Sequence, residues 1–329
     1  MAQTLTEAEI RPHHLFQEYL NLSKQDAETF FTGVPRAEMN CPACEDPGIF
    51  VFTKSGFAYR ECPQCQTLWV SPRPPFESFT AFYSDSPSSK YWADVFSPSV
   101  EEARRLRLWK PKATEVAEIV SQFDPKIRNV IDIGGGTGVF AEEFSLVSDC
   151  NIVVVEPSPQ AAARCRDRGI EVIQAFSEDL ALVDLPSGHS LFTSFELFEH
   201  IHNPLQWMAK LSTLMNTGDA LLVTTLSGVG LDIRLLWENS ASVSPPHHIN
   251  FLNPSSMRLI AERVGLEPLR VFTPGQLDMD IIKNNVKSIK DRFWRLLCEN
   301  QSDEERQTWQ NFINSVGLSS HMWAIMQKP

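Results

Sequence analysis

Apolar positions in the middle of the chain fall into short blocks separated by helical stretches. Asn129-Val-Ile-Asp-Ile133 is one such block, and a tight glycine turn, Gly134-Gly-Gly-Thr-Gly138, follows it. Val139, Phe140, Phe144 and Val147 then recur at helical spacing, which predicts a helix over 139–148. Asn151-Ile-Val-Val-Val155 reads as a second buried strand, ending at Glu156. Three further helices open alike, at Ser158-Pro159, Asn203-Pro204 and Asn253-Pro254, with a capping side chain and then proline at the first helical position. Each ends at a glycine suited to the left-handed conformation: Gly169, Gly218 and Gly265. Strands are predicted after these glycines, over 170–174, 220–226 and 268–273, with another at 190–195. Strands and helices that alternate through short links predict an α/β fold with a doubly wound parallel sheet.

The flanks are less regular. Residues 1–38 read as one or two small helices, and the Pro- and Ser-rich stretch 72–99 reads as an ordered linker. Ser99-Val-Glu-Glu102 has the form of a capping box opening a helix that breaks at Pro111 and resumes to about Gln122. Residues 278–316 are helical and amphipathic, an insertion before a final strand at 321–326.

Composition narrows the classes. A chain of 329 residues suggests two domains at about 150 residues each. Lys+Arg 29 against Asp+Glu 41 leaves a net charge of −12, a field that disfavours nucleic acid or an acidic membrane as partner. No run approaches the roughly 18 apolar residues of a membrane span. Met1–Ile10 lacks the basic and apolar regions of a leader, so a cytoplasmic location is expected.

Seven cysteines then need a purpose, because a reducing compartment holds few structural disulfides. Cys150, Cys165 and Cys298 are scattered and read as small apolar residues. Cys41-Pro-Ala-Cys44 and Cys62-Pro-Gln-Cys65 are two pairs separated by 17 residues, the spacing of a four-thiolate zinc site. Between them, Ile49-Phe-Val-Phe and Phe57-Ala-Tyr-Arg read as two strands joined around Lys54-Ser55-Gly56, so the segment is expected to be a zinc ribbon. Four thiolates leave no open position on the ion, which makes Zn2+ structural. Residues 1–112 carry 12 Lys/Arg and 14 Asp/Glu, so the ribbon lacks the basic stripe of a nucleic-acid grip. A scaffolding or lid role is expected instead.

The glycine turn admits two ligand classes. Gly136-Thr-Gly138-Val-Phe-Ala141 fits a dinucleotide fingerprint, whereas Asp132-Ile-Gly134-Gly-Gly136-Thr-Gly138 puts an acidic residue before alternating glycines. A carboxylate at the strand end repels a pyrophosphate but tolerates a cationic sulfonium. On this second frame the chain resembles the class I S-adenosylmethionine-dependent methyltransferases, whose first motif is D/E-x-G-x-G-x-G. The resemblance implies a seven-stranded Rossmann-like sheet, with Asp132, Gly134, Gly136, Gly138 and Glu156 at the donor. Glu156, 22 residues after Gly134, would accept hydrogen bonds from the ribose hydroxyls. Phe176, Ser177 and Glu178 fall where the family packs the adenine. Ser194-Phe-Glu-Leu-Phe-Glu-His-Ile-His-Asn-Pro204 resembles the family's stretch after the fourth strand, which places Glu196 and His200 at the cleft. Pro245-Pro-His-His-Ile-Asn-Phe251 looks like the segment that closes over the acceptor.

The zinc module, Ser71-Pro-Arg-Pro74 and the Phe82-Tyr83 pair extend the resemblance to methyltransferases of sugar and polysaccharide pathways. The long Tyr/His/Glu stretch of the sugar C-methyltransferases is absent, so carbon methylation cannot simply be carried over from them. The resemblance implies a small-molecule or glycan acceptor, a sugar hydroxyl or sugar carbon, with His200, His247 or His248 as general base. It also divides the chain into a helical extension (1–38), a zinc ribbon (39–75), a linker with helices (76–127) and a methyltransferase domain (128–329) with a helical insertion at 276–318. An RNA methyltransferase, an NAD(P)-dependent oxidoreductase and a non-catalytic donor-binding subunit are the remaining readings.

Overall fold

A computed structural model describes residues 5–123 and 126–329. Eleven strands form two sheets among these residues. The smaller sheet contains β1 (Ile49–Lys54), β2 (Phe57–Glu61), β3 (Leu68–Val70) and β9 (Asn250–Phe251), in that order. The larger contains β4 (Asn129–Ile133), β5 (Asn151–Val155), β6 (Glu171–Ile173), β7 (Ser190–Phe195), β8 (Ala220–Leu226), β10 (Glu267–Phe272) and β11 (His321–Gln327).

Its order is β6-β5-β4-β7-β8-β11-β10, parallel except for β11, which runs antiparallel between β8 and β10. Every residue of β4, β7 and β8 is buried, as a sheet covered on both faces requires. Side chains alternate between two cores. Ile131, Phe192, Leu221 and Val223 face Trp207, Met208 and Leu211. Val130, Leu191 and Leu222 face Val116, Phe140 and Phe144. The seven-stranded Rossmann-like sheet expected from the glycine turn is therefore present. The three predicted caps also form: Ser158 Oγ accepts from Ala161 N, Asn203 Oδ1 from Gln206 N, and Asn253 Oδ1 from Ser255 and Ser256 N.

The segment before the sheet differs from expectation. Residues 72–99 are mainly helical, with a helix at Phe76–Asp85 and a second begun by the Ser86 cap and Pro87. That second helix continues unbroken to Ser121. It widens into π turns at Trp92–Phe96 and Arg105–Trp109, each just before a proline, Pro98 and Pro111. Proline lacks an N–H and its ring crowds the preceding turn; a wider turn there relieves the clash without ending the helix. Ser99 is interior to this helix and no cap: its hydroxyl donates to Val95 O at 2.6 Å.

The ribbon is built as expected and is fastened to the large domain. Its hairpin turns through Ser55 (φ 44°) and Gly56 (φ 75°), a left-handed pair that matches strand twist. Its fourth strand, β9, comes from the distant Asn250–Phe251, with Leu68 opposite Phe251 and Trp69 opposite Asn250. Buried Arg73 donates to His202 O, Ile249 O and Asn250 Oδ1. Helix His13–Phe31 packs alongside, with Phe31 against Phe57, Phe79 and Phe82.

Candidate functional site

Chain order along the large sheet reverses between β4 and β7. In doubly wound sheets that reversal opens a crevice at the strands' carboxyl ends. The glycine turn leaves β4 there, Glu156 leaves β5, Phe176 follows β6 and Glu196 leaves β7. The sequence motifs therefore meet at one rim.

Gly134, Gly136 and Gly138 have φ of +72°, +58° and +77°, which L side chains adopt at a cost. Space explains the sequence too. A Cβ on Gly135 would lie 2.5 Å from Asp132 Oδ2, while above Gly136 nothing stands within 4 Å. The turn is thus packed beneath and open above. Glu156 Oε2 accepts from Gly136 N at 3.0 Å and Oε1 from Ser158 N at 2.9 Å. Each oxygen keeps a further lone pair, so the carboxylate can still accept from a vicinal diol. Burial raises its pKa. Asp132 is 1% exposed; Oδ1 accepts from Thr193 Oγ1 at 2.8 Å, but Oδ2 is buried without a donor. Burial pushes this carboxyl up to about 7, against the pull of Thr193 and Lys112. A diol acceptor and an orphaned carboxylate oxygen suit a ligand with both ribose and positive charge.

Glu196 has a left-handed backbone (φ 52°), a sparsely populated conformation for a side-chain-bearing residue. Its Oε1 accepts from His321 Nε2 and Thr224 Oγ1, both at 2.7 Å, with Lys112 Nζ at 3.7 Å. Burial opposes ionisation, yet His321 and Lys112 together hold the carboxyl well below its usual range. Lys112 is buried among the rings of Trp109, Phe195 and Trp323. Neither Lys112 nor His321 stood out in the sequence. His321 lies 125 residues from its partner, and no local motif marks it. Because β11 runs antiparallel, its first residue reaches the rim where the parallel strands end.

The three histidines expected at the cleft do come together. The rings of His200 and His248 lie 4.8 Å apart, and His200 and His247 6.3 Å apart. His200 Nδ1 bonds Tyr83 OH at 3.0 Å, and His248 Nδ1 bonds Ser242 O at 2.6 Å. His247 is 5% exposed, Nε2 unpartnered, packed among Tyr19, Phe82 and Tyr83. Burial and neighbouring His248 push His247 down to about 3; burial takes His248 to about 4, and burial with His248 and His247 takes His200 well below its usual value. All three are neutral rings at neutral pH. Tyr83 is 38% exposed, and its hydroxyl also lies 3.4 Å from His247 O. Glu199 lies beneath, its carboxyl raised by burial and by Glu196, and accepts from Thr225 Oγ1 at 2.6 Å.

Near β6, Phe176 is 43% exposed and Glu178 is exposed. Ser177 is buried, accepting from Trp207 Nε1 at 2.9 Å and donating to Glu178 at 2.8 Å.

The four ribbon cysteines are free thiols that converge. Sγ atoms of Cys41 and Cys65, Cys44 and Cys62, and Cys44 and Cys65 lie 3.4, 3.3 and 3.6 Å apart. Zinc–sulfur bonds of about 2.3 Å imply tetrahedral edges of about 3.8 Å, so the donor set suits one ion. Left-handed Glu45 and Gln66 close the two knuckles, their N–H groups donating to Cys41 O and Cys62 O.

The sequence profile of the family described as "Methyltransferase domain" matches residues 101–271, more than half of the chain. A ubiquinone biosynthesis O-methyltransferase of Dinoroseobacter shibae is 25% identical over 162 residues, covering 44% of this chain and 64% of that protein. Among solved structures, the plantazolicin methyltransferase BamL, in complex with a triazolic desmethylPZN analog and S-adenosylhomocysteine (SAH), shares 16% identity. The alignment covers 76% of this chain and 93% of that one, with TM-score 0.48. An O-methyltransferase from a trans-AT PKS multienzyme of Brevibacillus brevis, in complex with SAH, shares 14% identity over 70% of this chain and 75% of that one, with TM-score 0.44. The length of the profile match decides the family: the chain belongs to the methyltransferase-domain family, and its core is a class I S-adenosylmethionine-dependent methyltransferase domain.

Proposed function

We propose that the protein transfers a methyl group from S-adenosylmethionine to a polar small-molecule or glycan acceptor, at a sugar hydroxyl or sugar carbon. The observation that carries this reading is the polar lining of the rim where the glycine turn leaves β4. Tyr83, Glu196, His200, His248 and His321 place hydrogen-bonding groups around it. A hydroxyl-rich acceptor satisfies such a lining, and an apolar one would leave it unpaired.

Gly134, Gly136 and Gly138 would hold the donor with Asp132 and Glu156, and Phe176 offers an open ring for the adenine. The donor brings an already electrophilic methyl, so the chain's task is to align the nucleophile and take its proton. Among the histidines at that rim, His321 is bonded to a carboxylate, Glu196. A negative partner stabilises the imidazolium that forms as a hydroxyl is deprotonated. Glu196 then positions His321, and neutral His200 and His248 hydrogen-bond the acceptor. His247, enclosed by rings, braces Tyr83.

The four thiolates suit a structural Zn2+, and the ribbon's task is to hold the histidine loop. Val70 N donates to Ile249 O at 2.9 Å, Tyr59 OH to His248 O at 2.7 Å, and Asn253 Nδ2 to Cys65 O at 2.6 Å.

The test is a donor-turnover screen over free sugars, nucleotide sugars and glycans. With an acceptor found, His321→Ala is expected to lower kcat by about 10²–10³ while SAH affinity stays unchanged. The competing assignment is tested by the His247→Ala/His248→Ala double variant. If that variant loses rate at unchanged KM while His321→Ala does not, the base lies on the loop.

A further inference from the structure

Most arginines near the helical strap have carboxylate partners. Arg105 bonds Glu142 and Glu143 at 2.6 Å, and Arg168 bonds Glu101 and Glu142 at 2.7 Å. Arg11 and Arg104 break that pattern: among the described residues neither side chain has an ion pair or a hydrogen bond. Arg104 Nε is shut off from solvent with no acceptor. Burial, and then the neighbouring Arg11, push its guanidinium down to about 10. A half-buried guanidinium with one nitrogen shut off from water and no hydrogen-bond acceptor is a place where an anion is favoured. Scarcity of carboxylates is no explanation in a chain with 41 acidic and 29 basic residues.

Both guanidiniums flank one stack of aromatic rings. Arg11 lies 5.4 Å from the Phe16 centroid, and Arg104 lies 5.7 Å from that of Trp92. Phe96 joins the two rings, 6.0 Å from Phe16 and 4.4 Å from Trp92. Tyr19 packs 4.9 Å from Trp92 and 5.4 Å from His247, which connects the stack to the histidine chamber. The opposite charge that Arg104 faces at longer range is Glu196.

We propose that Arg11 and Arg104 receive an anionic group, a phosphate or a carboxylate, on the acceptor, and so direct its nucleophile toward Glu196 and His321. This rests on the acceptor reading above and sharpens it: the acceptor is a charged metabolite or a phosphorylated sugar, and a neutral glycan is excluded. A guanidinium fork suits both anions bidentately.

The test is calorimetric titration of the full chain, saturated with SAH at low salt, with inorganic pyrophosphate in one arm and malonate in the other. At least one anion is expected to bind with submillimolar affinity, and the arm that binds identifies the group as phosphoryl or carboxylate. Arg104→Met and Arg11→Gln should each weaken that binding at least tenfold, and exposed Arg292→Gln should not. Equal anion binding by Arg104→Met, or no binding of either anion, would overturn the proposal. Failure of SAH itself to bind would instead overturn the methyltransferase reading.

Discussion

Cys62→Ser is expected to unfold the smaller sheet while the seven-stranded sheet survives. The apolar cluster at the ribbon's knuckle end is small, with Cys41, Ala43, Cys62 and Trp69 buried in it. A structural zinc contributes on the order of 10–16 kcal/mol to isolated modules of this kind, and losing one ligand forfeits several kcal/mol of it. Purified protein should contain one zinc per chain, and the variant should contain much less. Amide exchange should accelerate in β1–β3 and also in Asn250–Phe251, because that strand pairs only with the ribbon. Amides of β4, β7 and β8 should stay protected. Cys150→Ser, outside the cluster, should match wild type. A Cys62→Ser protein with unchanged exchange in β3 and β9 would show that metal does not hold the ribbon.

Glu156→Ala is expected to weaken SAH binding at least tenfold, about 1.4 kcal/mol. The carboxylate serves twice: it ties Gly136 N to Ser158 N, which shapes the turn, and it keeps lone pairs for the ribose. Glu156→Gln keeps an acceptor oxygen and should fall between. The pH dependence has a definite sign. Burial raises the pKa of Glu156, so the group favours folding while protonated, and that contribution is lost as pH rises through the folded pKa. Donor binding needs the ionised acceptor and runs the other way. Affinity should therefore drop as solution becomes mildly acidic, and this slope should vanish in Glu156→Ala. Calorimetry between pH 5 and pH 8 would check it.

The sheet was legible because its signals are local. Strands at 190–195 and 220–226 and the three Ser/Asn-Pro helix starts match the structure residue for residue. Asp132, the glycines and Glu156 share one rim because a doubly wound sheet places every strand's carboxyl end there. Contacts made across the chain were not legible. The pairing of β9 with the ribbon joins residues nearly two hundred positions apart, and its two-residue length has no pattern of its own. The helix from Pro87 to Ser121 was hidden because Pro98 fell in a stretch that read as linker and Pro111 read as a break; π turns leave no signature in residue type. Lys112 and His321 looked like ordinary helix and strand residues; only the fold brings them to Glu196.

The most direct test of the central claim is calorimetric titration of the wild-type chain with SAH and, separately, with NADH. A donor site at Gly134–Gly138 predicts one SAH per chain at micromolar affinity and no heat from NADH. Tight NADH binding, with SAH silent, would contradict it.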